Sequence, residues 1–289
     1  MVAQRAVAAD AGLTPAEALP RVGRDGALSL RFERRGARTV VAGCRWTLPL
    51  QVLAPVALDD AAAIVSVLNP TGGLVGGDRL AIDVDVGAGA HACLTTPSAT
   101  KVYRTVTGPA EQTVRLTLAP GARLEWVPDH TIPFAGAALR QRVEAVVPEG
   151  ATLVLVDAFA AGRVARGEAW RFALLDSALS LRDGRGWLLC DRCVLRDGAP
   201  GPGLGFAEDR PYVATIAVIA DTGIPAFVDD VAAVGGADVD VGAGLLPRRG
   251  ALVRCLAADA LALARTLGAV WAAARRRVLG LAPLALRKP

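Results

Sequence analysis

From Ala27 onward, apolar and polar residues alternate along the chain. "ALSLRFERR" is the first such run, and alternation of this kind marks a strand with one buried face. A longer β-type run, "TVVAGCRWTLPLQV", breaks near Pro49. Then come "AAIVSVL", "RLAIDVDV", "AHACLTT", "KVYRTV", "QTVRLTLA", "ARLEWV", "QRVEAVV" and "TLVLVDAF", each bounded by Gly, Pro, Asp or Asn. The second half adds "AWRFALL", "ALSLR", "GWLLCDRCVLR" and "YVATIAVIA". Short strands with turn signals this frequent predict an all-β architecture. No long helical pattern separates them, which argues against βαβ units, and no fixed-length repeat suggests a propeller. Two stacked or coiled sheets are the natural solution.

The two ends differ from this pattern. Residues 1–25 read as a tail, in which Thr14-Pro15-Ala16-Glu17 fits a capping box and predicts a short helix from Pro15 to Leu19. Ala251 to Leu279 is rich in Ala, Leu and Arg, and Leu256, Leu261, Leu267 and Trp271 keep helical spacing. A long terminal helix over about 251–280 is expected, stopped by Gly280 and Pro283. Gly198 to Gly205 and Gly235 to Gly244 read as loops. Asp221 to Arg249 is the least defined part of one β-rich domain expected over 26–289.

Composition narrows the function classes. The net charge is +4 over 289 residues, with no basic stripe carrying interleaved aromatics, so nucleic acid is not an expected partner. No run reaches the roughly 18 apolar residues of a membrane span, and the N-terminus lacks a signal core, so a cytoplasmic location is expected. Five cysteines in a chain of this length predict reduced thiols, mostly buried. Cys190-Asp191-Arg192-Cys193 sits in a strand-like run, where i and i+3 face opposite sides. His91 and Cys93 share a face, which suits a weak two-ligand site or plain packing. The high aliphatic content, without a membrane segment, predicts an apolar surface meant for a partner and poor solubility in isolation.

"LNPTGGLVGGDRL" invites a phosphate-loop reading. A Walker loop requires lysine and a hydroxyl residue after its last glycine, and here Asp78 stands in the lysine's place. A dinucleotide fingerprint requires G-x-G-x-x-G before a helix, whereas a strand follows here. Gly72, Gly73, Gly76 and Gly77 are therefore expected to supply positive φ or close backbone approach. Asn69-Pro70 starts the turn. With only His91 and His130, and no G-x-S-x-G, a Ser-His hydrolase is disfavoured.

"NPTGGLVGGDRL", "CLTTPSATKVYR", "LEWVPDHTIPFAGA" and "GRVARGE", in this order and at these separations, resemble the urease accessory protein UreD (UreH) family. "LPLQVLAP" and "RRRVLGLAP" extend the resemblance over roughly 27–285, while "LALRKP" and the alanine-rich N-terminus depart from it. The resemblance implies a helix-like stack of strands with few α-helices and no catalytic residues. It implies a maturation factor that binds apo-urease and the accessory proteins UreF and, through it, UreG. Nickel would be cargo in transit, with no tightly bound cofactor, and GTP would be used by UreG. The motif residues it marks as structural or partner-binding are Asn69, Gly72, Gly73, Gly76, Gly77, Thr95, Thr96, Lys101, Tyr103, Arg104, Pro128, Gly162 and Arg163.

A metal that must be released suits hard or borderline ligands better than a thiolate cage. The candidates along a nickel path are Asp78, Glu125, Asp129, His130 and Glu168. Each has a plainer reading: Glu125 paired with Lys101 or Arg163, Asp129 capping a turn, Asp78 and Glu168 as solvated loop charges. Two other classes stay open from the residues alone. One is a β-rich hydrolase or transferase using Asp78, Lys101 and Glu125; the other is a generic apolar binding module.

Overall fold

The computed structural model describes residues 24–55, 60, 62–197 and 205–286. The expected helix over Pro15 to Leu19 lies outside them, as does most of the 198–205 loop. The strands, in chain order, are β1 Asp25–Arg35, β2 Arg38–Trp46, β3 Gln51–Val52, β4 Ala63–Leu68, β5 Arg79–Val86 and β6 His91–Thr95. They continue as β7 Thr100–Val102, β8 Ala110–Leu118, β9 Arg123–Trp126, β10 Thr131–Pro133, β11 Ala138–Val146 and β12 Thr152–Ala160. After a 3₁₀ turn at Val164–Arg166 come β13 Leu174–Asp183, β14 Gly186–Arg196 and β15 Tyr212–Ile219. Helix α1 Ile224–Ala232, β16 Val239–Leu245, β17 Ala251–Ala257 and helix α2 Ala260–Ala274 complete the chain, α2 running on into a π turn at Arg275–Leu279.

These strands form two stacked sheets. One has seven strands in the order β14-β13-β11-β8-β5-β1-β2; the other has ten, with β16-β17-β15-β12-β9-β6-β4-β3 as its spine and β7 and β10 beside it. The chain climbs as a solenoid, passing from one sheet to the other in each coil. β5, β8, β11 and β13 run parallel, and so do β6, β9 and β12. Parallel pairing needs a crossover. Here the crossover is a strand of the opposite sheet, which is why no helices separate the strands. Arg79, Glu111, Arg140 and Asp176 stand side by side in successive coils, at unequal separations in the chain. Unequal coils leave no fixed-length repeat to detect.

Packing explains the two kinds of strand pattern. The seven-stranded sheet has one face on the core and one in water, so β1 and β5 alternate strictly. Small and medium aliphatics such as Leu28, Leu30, Ile82, Val114, Leu139 and Leu153 fill the space between the sheets. The ten-stranded sheet is covered on both faces. Its outer face carries α1 and α2, whose Phe227 and Val270 pack into one cluster with Ile64, Val154, Ile216 and Val253 of the sheet. Strands β6, β12 and β15 are therefore buried almost throughout and read as continuous apolar runs.

Three expectations about elements are corrected. The helix does not start at Ala251: "ALVRCLA" is strand β17, with Ala251, Val253, Cys255 and Ala257 buried in alternation. Leu256 belongs to that strand, and the helix begins only where the Asp259 carboxylate caps it, accepting from Ala262 N at 2.7 Å. Likewise "VDVGAGL", expected as loop, is edge strand β16 paired along β17. "AWRFALL" is mostly turn, because Trp170 takes a positive φ of 62° and the strand starts at Leu174.

The water-facing side of the seven-stranded sheet carries crossed charges. Arg115 meets Asp83 at 3.4 Å and Arg140 meets Glu111 at 3.4 Å, exposed pairs that contribute little. Asp176 is different: it is 5% exposed and held by Arg192 at 3.0 Å and Arg142 at 2.8 Å. Its hydrogen bonds from Arg192, then from Arg142, lower the carboxyl to about 2. A free aspartate titrates near ~3.9, so the ionised group stabilises the fold above about pH 4, and that contribution is lost as pH falls towards about 2. Asp176→Asn should lower stability at neutral pH and flatten this part of the acid dependence. Urea unfolding at stepped pH tests it; parallel acid curves for both proteins would contradict it.

Candidate functional site

The four sequence motifs lie far apart in the chain but side by side in the solenoid. They share one rim, where short strands β7 and β10 pair in parallel from Thr131↔Thr100 to Pro133↔Val102. The glycine-rich turn folds onto this rim. Leu74 N donates to Lys101 O at 2.8 Å, and Tyr103 N donates to Leu74 O at 2.9 Å. A Cβ on Gly73 would stand 2.5 Å from Lys101 O, so only glycine permits that approach. Gly72 and Gly77 have positive φ of 86° and 80°. Gly76 does not, but a Cβ there would stand 3.1 Å from Gly108 O, so crowding alone restricts it. The Asn69 side chain closes the turn, accepting from Thr71 N at 3.1 Å and donating to Gly73 O at 3.1 Å.

Neighbouring motifs interlock through side chains. Thr95 Oγ1 donates to Val127 O at 2.8 Å, and Thr96 Oγ1 accepts from Asp129 N at 2.9 Å. The Tyr103 and Phe134 rings meet edge to face at 5.2 Å, and the Arg163 guanidinium lies 4.3 Å over Phe134. Arg163 grips Glu168 with two bonds of 2.7 and 2.5 Å. A Cβ on Gly162 would meet Glu168 O at 2.4 Å. Arg104 lies along Gly136, and Lys101 is exposed on β7.

The five proposed nickel-path residues are not equivalent. Glu125 pairs with neither Lys101 nor Arg163. It is fully buried beneath α2, where Oε1 accepts from Arg275 Nη1 at 2.6 Å and His91 Nε2 at 2.8 Å, and Oε2 from Trp271 Nε1 at 2.6 Å. Arg275 is itself fully buried and also pairs with Asp60. Asp78 is not a solvated loop charge: it is 3% exposed, and its Oδ2 accepts from Val75 N at 2.8 Å. Burial raises its pKa, against that bond and the nearby Arg24. Glu168 is held below the usual carboxylate range, first by the Arg163 hydrogen bonds. The His130 ring stands edge to face on Tyr212 at 5.8 Å. Asp78 closes a turn before β5 and Lys101 is exposed on β7, whereas Glu125 is fully buried beneath α2 and held by Arg275, so Glu125 does not face the rim with the other two.

Only Asp129 of the five lines the interior cavity. This space of about 70 Å³ lies between the sheets, behind the motif rim. Asn69, Thr96, Thr100 and Thr131 line its rim side, and Gln112, Gln141 and Asp157 project into it from the strands. Asp157 accepts from Gln141 Nε2 at 2.7 Å and Ser177 Oγ at 2.9 Å. Burial nevertheless pushes its carboxyl up, the two donors opposing. It retains some accessible surface because it faces the cavity. The one sign of this residue in the sequence was an aspartate inside the otherwise apolar "TLVLVDAF". No group of three or more His, Cys, Asp or Glu side chains among the described residues is gathered as a metal cage. Cys190 and Cys193 are free, and burial raises Cys193 to about 11.

A sequence model described as "UreD urease accessory protein" matches residues 24–289, the whole solenoid with its helices. The chain belongs to the UreD family. Its relatives include proteins called urease accessory protein UreD from Arthrobacter sp. (strain FB24), 35% identical over 91% of this chain and 94% of the relative, and from Alkalilimnicola ehrlichii, 34% identical over 98% and 97%. Another, from Klebsiella aerogenes, is 33% identical over 89% of this chain and 93% of its own. Membership of the UreD family thus extends over both sheets, the motif rim and the helix layer. No helix among the described residues is long and apolar enough to cross a membrane.

Proposed function

We propose that this chain is a non-enzymatic factor in urease maturation, working in the cytoplasm. It binds apo-urease and UreF, reaches UreG through UreF, and helps nickel enter the urease active site. GTP is consumed by UreG. Family membership over nearly the whole chain supports the maturation role, and relatives named as accessory proteins support the absence of catalysis. Exposed Trp46, Leu48 and Leu53, clustered in sequence around the β2–β3 connection, suit a protein that works bound to others.

The observation that carries the nickel part is the polar seam through the core. Buried polar groups destabilise a fold unless they are hydrogen-bonded. Gln112, Gln141, Asp157 and Ser177 are bonded to one another, and the first three border a cavity instead of a dry core. Oxygen donors spaced along a narrow space suit a cation in passage better than one in storage. The path therefore runs by Asp129 and Asp157. Glu125 and Glu168 already serve arginines and are structural.

Asp157→Asn keeps shape and removes charge. Co-expressed with urease and the other accessory proteins, it should leave complex formation nearly intact and lower nickel per urease. Glu168→Gln should instead lower the amount of complex, because it breaks the grip of Arg163. Nickel and complex are measured in the same preparations. If Asp157→Asn lowers nickel only in proportion to complex, the seam is structural and the path reading fails.

A further inference from the structure

The ten-stranded sheet has a window. β9 pairs with β12 only as far as Trp126↔Leu155, and β10 rejoins β12 at Thr131↔Phe159. Between these points the pairing lapses, and Pro128 has no N–H to offer a neighbour. On one side of the window lies the interior cavity. On the other lies an apolar groove of about 250 Å³, walled by α2 through Leu267 and Trp271. Pro128, Asp129 and Val156 line both spaces and stand between them.

The C-terminal segment lies at this groove, and Leu286 forms part of its wall. The segment is fixed where it begins. Leu281 N donates to Arg275 O at 2.9 Å, and the buried Arg275 donates from Nε to Ala282 O at 2.8 Å. Among the described residues, no backbone hydrogen bond outside the regular elements reaches beyond Ala282. From there the half-buried Leu284 and Leu286 hold it against the outer core. A segment anchored at one end and held elsewhere by a few apolar contacts belongs to the low-stability end of local opening.

We propose that Pro283–Leu286 is a hinged strap over the outer mouth of the window, and that its release opens the interior cavity towards the α2 side. Arg275 is the fixed point, and the two leucines are the catch. The proposal concerns access to the cavity and holds whatever passes through it.

The test uses the full chain. Cys44, Cys190 and Cys193 are replaced by serine to remove the more accessible thiols, and Val156→Cys places a thiol in the window wall. Its rate of reaction with a small charged methanethiosulfonate is compared with and without Leu284→Gly and Leu286→Gly. Losing two apolar contacts should speed labelling by about tenfold or more. Cys93 and Cys255, both fully buried, serve as internal controls and should stay slow. Equal rates with and without the leucines would overturn the strap, as would fast labelling with the strap intact. So would an equal rise at Cys93 and Cys255, which would mean general loosening. Should Val156→Cys fail to fold, Ala158→Cys, on the same face of β12 and also lining the cavity, gives the same readout.

Discussion

Arg275→Met is expected to destabilise the fold by about 3–5 kcal/mol, the usual cost of removing one partner from a buried ion pair. Arg275 is fully buried and serves Glu125, Asp60, the Ala282 carbonyl and, at 5.6 Å, the Trp271 ring. Without it, Glu125 keeps Trp271 and His91 as donors but loses its guanidinium, inside an apolar layer. Asp60 loses the same partner. The π turn that carries Arg275 would also lose its hold on α2 and the segment after it. Urea unfolding should show a lower midpoint with little change of slope. The double variant Glu125→Gln, Arg275→Met should be less damaged than the sum of the two, because it leaves no uncompensated charge on that side. A cost below about 1 kcal/mol for Arg275→Met would mean that water reaches Glu125 and the cluster is not the clamp described. The same argument separates structure from transport: Glu125→Gln should reduce urease nickel only as far as it reduces folded protein.

This cluster shows where sequence reading stops. Arg275 is one of three consecutive arginines, and nothing local distinguishes the buried one from Arg276 and Arg277, which are exposed beside Asp230. Its burial follows from its helical phase with Trp271 and from Glu125 arriving from a distant strand. The strands themselves were legible, because alternation reports directly on a sheet with one wet face. Their parallel stacking was not, because the coils differ in length and strands replace the usual crossover helices. β17 was misread for a related reason: Ala and Leu suit a helix, and the alternation of Val253 and Cys255 was too short to outweigh them. The motif rim was legible only as a resemblance. Asp157 was visible as an odd carboxylate in an apolar run, but its meaning depended on Gln141 and Ser177, which other coils bring to it.

Two glycines five residues apart give the sharpest test of the motif rim. Gly162 and Gly167 flank the 3₁₀ turn of "GRVARG", and both have positive φ, 142° and 70°. Alanine at either position meets backbone strain of about 1–2 kcal/mol. The surroundings differ. A Cβ on Gly167 meets nothing within 4 Å, whereas one on Gly162 would stand 2.4 Å from Glu168 O and 3.2 Å from Pro133 O. Both close atoms are backbone, so no side chain can swing aside. Relief requires Glu168 to move away, and with it the bidentate grip of Arg163 over Phe134. Overpacking of this kind adds about 1–3 kcal/mol. Gly162→Ala should therefore cost roughly 2–5 kcal/mol, and Gly167→Ala only about 1–2, taking the strain and crowding terms together. Chemical unfolding of the two variants beside the parent protein decides it. Equal losses would mean that positive φ alone makes glycine necessary in this loop. A larger loss at Gly162, accompanied by less assembled complex on co-expression, would identify the contact between this turn and β10 as what keeps the rim in shape for its partners.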